Sequence, residues 1–329
     1  MSLKRYVLVR IALIIPILIA VTSIIFLLLH LAPGNPVDIM LATSKGSRDI
    51  REVLMRRFGL DQPLHIQYFL WLYNTFTGNL GISVNGLAVV DIIAPRIWYT
   101  LELMLVSLVI SVIIATLLGA LAGYKHNSLL DRALSVLALI GYSVPNFWLG
   151  LIFILVFAAI LGWFPVGAFS LGIELARISD LTSSLFVHLV YLALPAAVLV
   201  IEFTPYFFRL LRASMIDVAK EDYIVTARSK GLKETVILYK HALRNALIPL
   251  ITAVGTSLGF VFGGSYVVEV VFAWPGLGSL LVTAALSRDY WVVMGVSLIT
   301  AIMVIFSSMG IDIAYAYFNP KIRFGSAEY

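Results

Sequence analysis

The sequence predicts an all-α polytopic membrane protein with six transmembrane helices, a long external loop after helix one and a cytoplasmic helix between helices four and five. Of its 329 residues, 61% are hydrophobic and 12% are charged, and the mean hydropathy is +0.99. These values exclude an ordinary soluble domain. Several apolar runs reach the length of about 20 residues that crosses a bilayer as a helix. The chain contains no cysteine, which excludes disulfides and thiolate chemistry.

The first apolar run covers residues 9–30 and follows several basic residues, which favour a cytoplasmic N-terminus. It is too long for the core of a signal peptide and lacks a small-residue cleavage pattern, so we interpret it as a retained anchor. Residues 31–98 are amphipathic and are placed outside, because loops longer than about 60 residues escape the positive-inside rule. We therefore divide the chain into residues 1–98, the anchor with an external segment, and residues 99–329, a core with five spans.

The five core spans are predicted from the remaining apolar runs. They cover about residues 100–124, 134–161, 187–209, 247–268 and 291–317. Span three is longer than a core of about 30 Å requires at about 1.5 Å per residue, so we expect a tilt or a kink at Pro145. Counting the two sides of Pro145 as separate spans would place a basic terminus outside, and we exclude it.

Charge distribution fixes the orientation of this topology, with both termini in the cytoplasm. Outside the long first loop, the predicted external segments contain only Arg177 and Arg288 as basic residues. All other lysines and arginines of the core lie in predicted cytoplasmic segments or at their edges. This asymmetry is the pattern that the positive-inside rule describes.

Residues 214–249, between spans four and five, predict two short amphipathic helices separated by a glycine. In the first half, apolar residues recur at steps of three and four: Ile216, Ala219, Tyr223 and Ala227. In the second half, the apolar face consists of Leu232, Val236, Tyr239 and Leu243. Gly231 followed by Leu232 fits a left-handed helix stop with its hydrophobic contact. Such a segment can lie on anionic lipid or press one face onto a protein partner.

The residues of this segment, EDYIVTARSKGLKETVILYKHALRNALIP, closely resemble the cytoplasmic coupling loop of ABC importer permease subunits of the oligopeptide, dipeptide and nickel class. The resemblance covers nearly the whole chain, through HLAPGNPVD, FGLDQP, SVPNFWLG, PGLG, RDYWVVMG and NPKIR in order. Two positions depart from the family pattern. Val225 stands where the general motif has Glu, and Trp291 stands where Pro often follows Asp-Tyr.

The resemblance implies a permease subunit in the cytoplasmic membrane of a prokaryote. It implies three kinds of partner: a second homologous permease, two ATPase subunits and an external solute-binding protein. ATP and Mg²⁺ would be held by the ATPase subunits, and no cofactor by this chain. The coupling loop, about residues 214–246, would contact an ATPase through Tyr223, Thr226, Ala227, Lys230, Gly231, Leu232 and Lys233. The solute would be a peptide, an oligosaccharide or a nickel complex, and the spans do not choose among them.

Motifs for catalysis are missing from the sequence. It has no G-x-x-x-x-G-K-[ST] loop for phosphates, no H-E-x-x-H zinc motif and no G-x-S-x-G nucleophile elbow. We therefore predict that the chain is not an enzyme. The alternative class is a stand-alone secondary transporter or channel, which would transport without ATPases and would carry more polar residues at mid-span.

Ionisable residues within predicted spans indicate either a transport path or a structural ion pair, because a charge facing lipid is costly. Glu202 in span four and Asp312 in span six are the main examples, and Glu102 lies near the outer end of span two. We favour pairing across a helix contact, or with Arg209 or Arg212. A place along a translocation path is the alternative.

Glycines at four-residue spacing occur in two spans. Gly119 and Gly123 lie in span two, and Gly255, Gly259 and Gly263 lie in span five. We expect close helix packing at these positions, although a face that slides during opening also requires small residues.

Overall fold

A computed structural model describes residues 3–31, 37, 41, 48–57, 59–172, 174, 181–261 and 263–318. Over these residues the secondary structure is helical, apart from one isolated antiparallel bridge between Ile82 and Ala88. The contacts divide the chain into two compact units, Met1–Thr100 with Gly276–Tyr329, and Leu101–Pro275. The division at residue 98 drawn from the sequence stays a prediction.

The described part of the chain contains thirteen α-helices. They are α1 (Leu3–Leu31), α2 (Arg48–Arg57), α3 (Leu64–Phe76), α4 (Val89–Tyr124), α5 (Leu129–Ser143), α6 (Asn146–Phe153), α7 (Leu181–Val218), α8 (Asp222–Ser229), α9 (Glu234–Val236), α10 (Leu243–Val261), α11 (Tyr266–Val271), α12 (Leu277–Leu286) and α13 (Tyr290–Phe318). A π-helical segment, Ile154–Ile160, continues α6, and a second, Ile237–Ala242, joins α9 to α10.

Four helices in the described part of the chain are long and apolar enough to cross a membrane, namely α1, α4, α7 and α13. The pair formed by α5 and the helix from Asn146 to Ile160 adds a fifth if it is one broken span. These five match predicted spans one to four and six, and the chain is a multi-pass membrane protein. Predicted span five overlaps α10, which has 19 residues. The total of six spans stays a prediction.

The break inside span three lies at the predicted proline. Val144 and Pro145 both have extended backbone, with ψ of 125° and 132°. A proline has no N–H to donate and pushes the preceding residue out of the helical region, so the hydrogen-bond ladder stops there. The two arms meet at 97°, which confirms the predicted kink.

In the first unit, the loop that precedes α4 is hydrogen-bonded to the start of α13. Asp289 is buried, and its carboxylate accepts hydrogen bonds from the Ser83 hydroxyl, from Val84 N at 3.1 Å and from Val292 N at 3.3 Å. Beside it, a β-carbon at Gly81 would lie 3.2 Å from the Trp291 ring. The sequence segments GNLGIS and RDYWVVMG therefore pack together, and Trp291 lies in this contact.

Helix α3 also packs along the first membrane helix, α1. The Tyr68 hydroxyl of α3 lies 3.1 Å from Thr22 Oγ1 and 2.9 Å from Ser23 Oγ of α1. Gln67 Oε1 lies 3.1 Å from His30 Nε2. These polar pairs hold α3 against α1 in one orientation, because a buried hydroxyl without a partner would cost free energy.

In the second unit, α4 and α7 approach closely at the two glycines of α4. A β-carbon at Gly123 would lie 2.5 Å from Met215 Cβ, and one at Gly119 would lie 3.1 Å from Phe208 O. The close packing predicted for span two is confirmed. In α10, by contrast, no atom lies within 4 Å of a β-carbon built at Gly255, so the expectation of close packing within this chain is wrong there.

The reason is that this face of α10 is uncovered in the single subunit, where Ile248 and Ile251 are 63% and 67% exposed. Gly263 is exposed as well. The surroundings of Gly259 lie outside the described residues.

Alanine substitutions at these glycines test the packing. We expect Gly123→Ala to lower the free energy of unfolding by about 1–3 kcal/mol, because backbone and Cβ atoms of α7 block the new methyl group. Gly119→Ala should cost less. Gly255→Ala is the matched control and should be neutral or stabilising by about 0.5–1 kcal/mol through helix propensity. Thermal unfolding in detergent measures all three, and equal losses at Gly123 and Gly255 would contradict the packing.

Candidate functional site

The segment between α7 and α10 contains the helix stop that the sequence predicts. α8 ends at Ser229, and Gly231 adopts a left-handed backbone with φ of +73°. Gly231 N donates to Arg228 O at 3.0 Å, and Leu232 N donates to Ala227 O at 3.4 Å. These are the two hydrogen bonds of a Schellman motif. The prediction of a left-handed helix stop at Gly231 is confirmed.

Side-chain hydrogen bonds tie α8 to its neighbours. Arg228 Nε donates to Glu234 Oε1 at 3.0 Å, and Arg228 Nη2 donates to the Tyr124 hydroxyl at 3.3 Å. Asn245 Nδ2 donates to the Tyr223 hydroxyl at 2.7 Å. The short helix is thus connected to the end of α4 and to the start of α10, so displacement of α8 is transmitted to both.

The buried face of α8 differs from the predicted stripe. Ala227 is buried as expected, but its buried neighbour is Ile224, whereas Tyr223 is 39% exposed. The prediction that Tyr223 belongs to the buried apolar face of α8 is therefore wrong. Tyr223 turns outward because its hydroxyl reaches Asn245 at the surface, while the fully apolar Ile224 faces the π-helical segment, where Ile237 is buried.

The opposite side of the segment is apolar and uncovered. We call it the coupling surface, and its apolar members are Tyr223, Val225, Leu232, Val236 and Tyr239, which are 36–53% exposed. Of the seven residues that the sequence assigned to an ATPase contact, six are exposed: Tyr223, Thr226, Lys230, Gly231, Leu232 and Lys233. Ala227 is the exception, since it packs inward.

A buried ion pair lies at the base of this segment. The Arg212 guanidinium of α7 donates to both carboxylate oxygens of Asp131, through Nε to Oδ1 and through Nη2 to Oδ2 at 2.8 Å. Asp131 is 1% exposed, and it also accepts from Asn127 N at 3.0 Å. Its own N–H donates to Ser128 Oγ, which caps α5. α7 is thereby fixed to the first turn of α5.

Glu202 lies on a polar face of α7. Glu202, Tyr206 and Arg209 are all exposed and are spaced to share one side of the helix. Glu202 Oε2 accepts from Asn146 Nδ2 at 3.1 Å, which is a contact across helices. Arg209 lies 4.7 Å from the centre of the Tyr142 ring. Of the two forms of pairing predicted from the sequence, the one across a helix contact therefore holds for Glu202, and the one with Arg209 or Arg212 does not.

The other two predicted carboxylates have different outcomes. Glu102 pairs with His188, whose Nε2 lies 2.8 Å from Glu102 Oε2, so the structural interpretation holds there. The side chain of Asp312 lies outside the described residues. No group of three or more His, Cys, Asp or Glu side chains that could hold a metal ion occurs in the described part.

A cavity of about 320 Å³ opens beside Glu202. Its walls come from α4, α5, α7 and α10, and they consist of Met104, Leu108, Tyr142, Glu202, Phe203, Tyr206, Phe207, Thr256, Ser257 and Val261. The cavity thus joins one carboxylate to an aromatic wall within a membrane-embedded unit.

Comparison with known sequences decides the family. A family profile described as "Binding-protein-dependent transport system inner membrane component" matches residues 115–324, and its N-terminal companion matches residues 3–104. The chain belongs to this permease family. Membership rules out the alternative of a stand-alone transporter or channel, and it makes the permease a transport subunit, not an enzyme.

Full-length relatives place the permease in the peptide class. An oligopeptide transport system permease protein of Bacillus subtilis is 39% identical, with 98% of this chain and 100% of the relative covered. A glutathione transport system permease protein of Escherichia coli is 39% identical, with 97% and 99% covered. A di/tripeptide transport system permease protein of Pseudomonas aeruginosa is 36% identical, with 95% and 97% covered.

Sequence reasoning missed three buried carboxylates in the described part of the permease, namely Asp131, Glu269 and Asp289. Asp131 could have been found from the Ser128-x-x-Asp131 pattern, which is typical of a helix N-terminus. Glu269, fully buried in α11, has no such signal, because nothing in its apolar neighbourhood distinguishes a buried carboxylate from one at a helix end.

Removal of one charge of the buried pair should be costly. We expect Asp131→Asn to lower the free energy of unfolding by about 3 kcal/mol, because it leaves Arg212 without its counter-charge. A double-mutant cycle with Arg212→Gln isolates the pair. The control is the cycle of Arg228→Gln and Glu234→Gln, whose side chains are 50% and 56% exposed and should couple by less than about 1 kcal/mol. Equal coupling in the two cycles would contradict this assignment.

The helix stop makes a separate prediction at Gly231. No atom lies within 4 Å of its built β-carbon, so a substitution meets strain from the positive φ alone. Gly231→Ala should cost about 1–2 kcal/mol, and Gly231→Asn should cost less, because Asn tolerates the left-handed region. Thermal unfolding should rank the three proteins, from most to least stable, as the unmodified permease, Gly231→Asn and Gly231→Ala. If Ala were as stable as Gly, a left-handed stop would be excluded.

Proposed function

We propose that the permease forms a peptide translocation path together with a second, homologous permease, receives its solute from an external binding protein and is driven by two ATPase subunits. The uncovered coupling surface is the observation that carries this proposal. Three of its relatives are named for oligopeptide, di/tripeptide and glutathione transport, and these names favour a peptide over an oligosaccharide or a nickel complex. ATP and Mg²⁺ are assigned to the ATPase subunits.

The coupling surface has the composition of a protein contact. Its apolar side chains are exposed, and so are Lys230 and Lys233 in the same segment. An apolar centre with charges at its edge is typical of protein interfaces. The lysines would meet acidic ATPase residues and would mainly affect association, as rim charges do. The hydrogen bonds of Arg228 and Tyr223 connect α8 to α4 and α10, so movement of an ATPase bound at α8 would move these helices as well.

Glu202 and Asp312 are proposed as residues of the translocation path, and Glu202 has geometric support. It is exposed on a membrane-spanning helix and has a neutral partner, Asn146. A carboxylate is costly in lipid, so this face requires water or the second permease against it. The face of α10 around Gly255 is also uncovered in the single subunit, and its small residue suits a second permease that packs closely against it.

The proposed orientation places both termini and the coupling surface in the cytoplasm of a prokaryotic cell. Basic residues of the coupling segment, such as Lys220, Lys230 and Lys240, support it. Energy enters through differential affinity. ATP shifts the permease between inward-open and outward-open states only if the ATPases bind ATP better in one of them.

Charge placed on the coupling surface tests the ATPase contact. Leu232→Glu should weaken capture of the ATPase subunits at least about tenfold, because a buried unpaired charge would replace an apolar contact. Its fold should survive, since Leu232 is 40% exposed. The matched control is Leu286→Glu, at an 83% exposed leucine on the predicted external side.

Co-purification with the ATPases and ATPase stimulation by a loaded binding protein are the measurements. Loss of capture in Leu232→Glu alone supports the contact. Equal capture by both variants would assign docking to another surface, and failure of the unmodified permease to capture any ATPase would refute the importer function.

A further inference from the structure

The cavity beside Glu202 has an electrostatic character of its own. Among its ten lining residues, Glu202 is the sole ionisable one, apart from the tyrosines Tyr142 and Tyr206. Within the described part of the chain, the carboxylate has one hydrogen-bond partner, the neutral Asn146, on Oε2. The second oxygen, Oε1, is left for another donor. A lone carboxylate in a membrane-embedded cavity favours a cationic occupant.

Two hydroxyl groups of α10 also line the cavity, and both act as hydrogen-bond acceptors toward it. Thr256 Oγ1 and Ser257 Oγ each donate their single proton to Ala253 O, at 2.8 Å in both cases. A hydroxyl that has used its proton still has acceptor lone pairs. Both groups therefore line the cavity as acceptors, which suits an occupant that donates several hydrogen bonds.

The remaining wall is aromatic. Tyr142, Phe203, Tyr206 and Phe207 contribute rings, and ring faces attract cations through their quadrupole. The Arg209 guanidinium already lies 4.7 Å from the centre of the Tyr142 ring, so Phe203, Tyr206 and Phe207 are the rings left for an occupant. A volume of about 320 Å³ lies within the range of small-ligand pockets.

We propose that this cavity binds a protonated primary amine of the transported solute, with Glu202 as the counter-charge and Thr256 and Ser257 as acceptors. An ammonium group donates three hydrogen bonds and carries one positive charge, so it matches one carboxylate and two hydroxyl acceptors in an aromatic cavity. This inference rests on the proposed function for its transport role, and it names the chemical group that the path selects. The free N-terminus of a peptide has this chemistry.

Affinity coupling tests the site without knowledge of the natural solute. The full importer complex is treated with a water-soluble carbodiimide and increasing trialanine amide, which has a free amine and no carboxylate. The activated carboxylate then forms an amide with a nearby amine, and mass spectrometry locates it. The control probe is N-acetyl-trialanine amide. The control residue is Asp217, an exposed carboxylate on the same helix that does not line the cavity.

We expect coupling at Glu202 to saturate and to exceed that at Asp217 about tenfold at low amine concentration, with none from the acetylated probe. Thr256→Val with Ser257→Ala should raise the concentration for half-coupling about tenfold. A linear, unsaturated rise at Glu202 that parallels Asp217 would overturn the proposal. So would an unchanged half-coupling concentration in a double variant that still folds by thermal unfolding.

Uptake into vesicles tests the transport role. Glu202→Gln should lower ATP-dependent uptake of trialanine amide about tenfold, while ATPase capture remains unchanged. Asp91→Asn, at an exposed carboxylate of α4 that does not line the cavity, is the control and should leave uptake unchanged. Full uptake by Glu202→Gln would overturn a role of the amine site in transport. Saturable coupling in a complex that captures no ATPase would instead leave the amine site standing and refute the importer function, so the two failures are distinguishable.

Discussion

The ion pair of Arg212 and Asp131 is the interaction on which the packing of α5 against α7 in the second unit depends. It is bidentate and buried on the carboxylate side, and bidentate pairs between arginine and carboxylate combine strength with fixed geometry. Desolvating two charges is costly, so such a pair is a weak source of stability but a strong source of specificity when every remaining hydrogen-bonding group is satisfied. Here Asn127 N and the Ser128 cap complete the set around Asp131, which fixes one arrangement of α5 against α7.

One helix links every feature of the permease that bears on transport. α7 has 38 residues and extends about 57 Å. Along it lie the amine-binding face at Glu202, the stacked Arg209 and the paired Arg212, and its end leads directly into α8. Glu202 and Arg212 are ten residues apart, or about 15 Å along the axis. The connection from Glu202 to the coupling surface therefore runs along one helix, α7, and then directly into α8.

The sequence was most informative where local chemistry decides the structure. Gly231 could be identified as a helix stop because a left-handed residue is a property of a few neighbouring atoms. The stripe in α8 failed because adjacent Tyr223 and Ile224 are both apolar, and periodicity does not state which of them the rest of the chain covers. The pairing of Asp131 with Arg212 joins residues 81 positions apart, and no local pattern encodes such a contact. The number of spans depends on α10, which has 19 residues and is shorter than α1, α4, α7 and α13. Hydropathy alone does not decide whether it crosses the membrane.

The absence of any clearance at Gly123 has a mechanical consequence for the transport cycle. With Met215 Cβ only 2.5 Å from the place where a β-carbon would be, no side chain separates α4 from α7 at this point. A shift that brought any residue other than glycine to this contact would meet Met215 and the backbone of Arg212. Movement of the two helices as one body leaves the contact intact. The 97° corner at Pro145 and the π-helical segment Ile237–Ala242 depart from regular α-helix, so we expect the second unit to bend there rather than at the contact of α4 with α7.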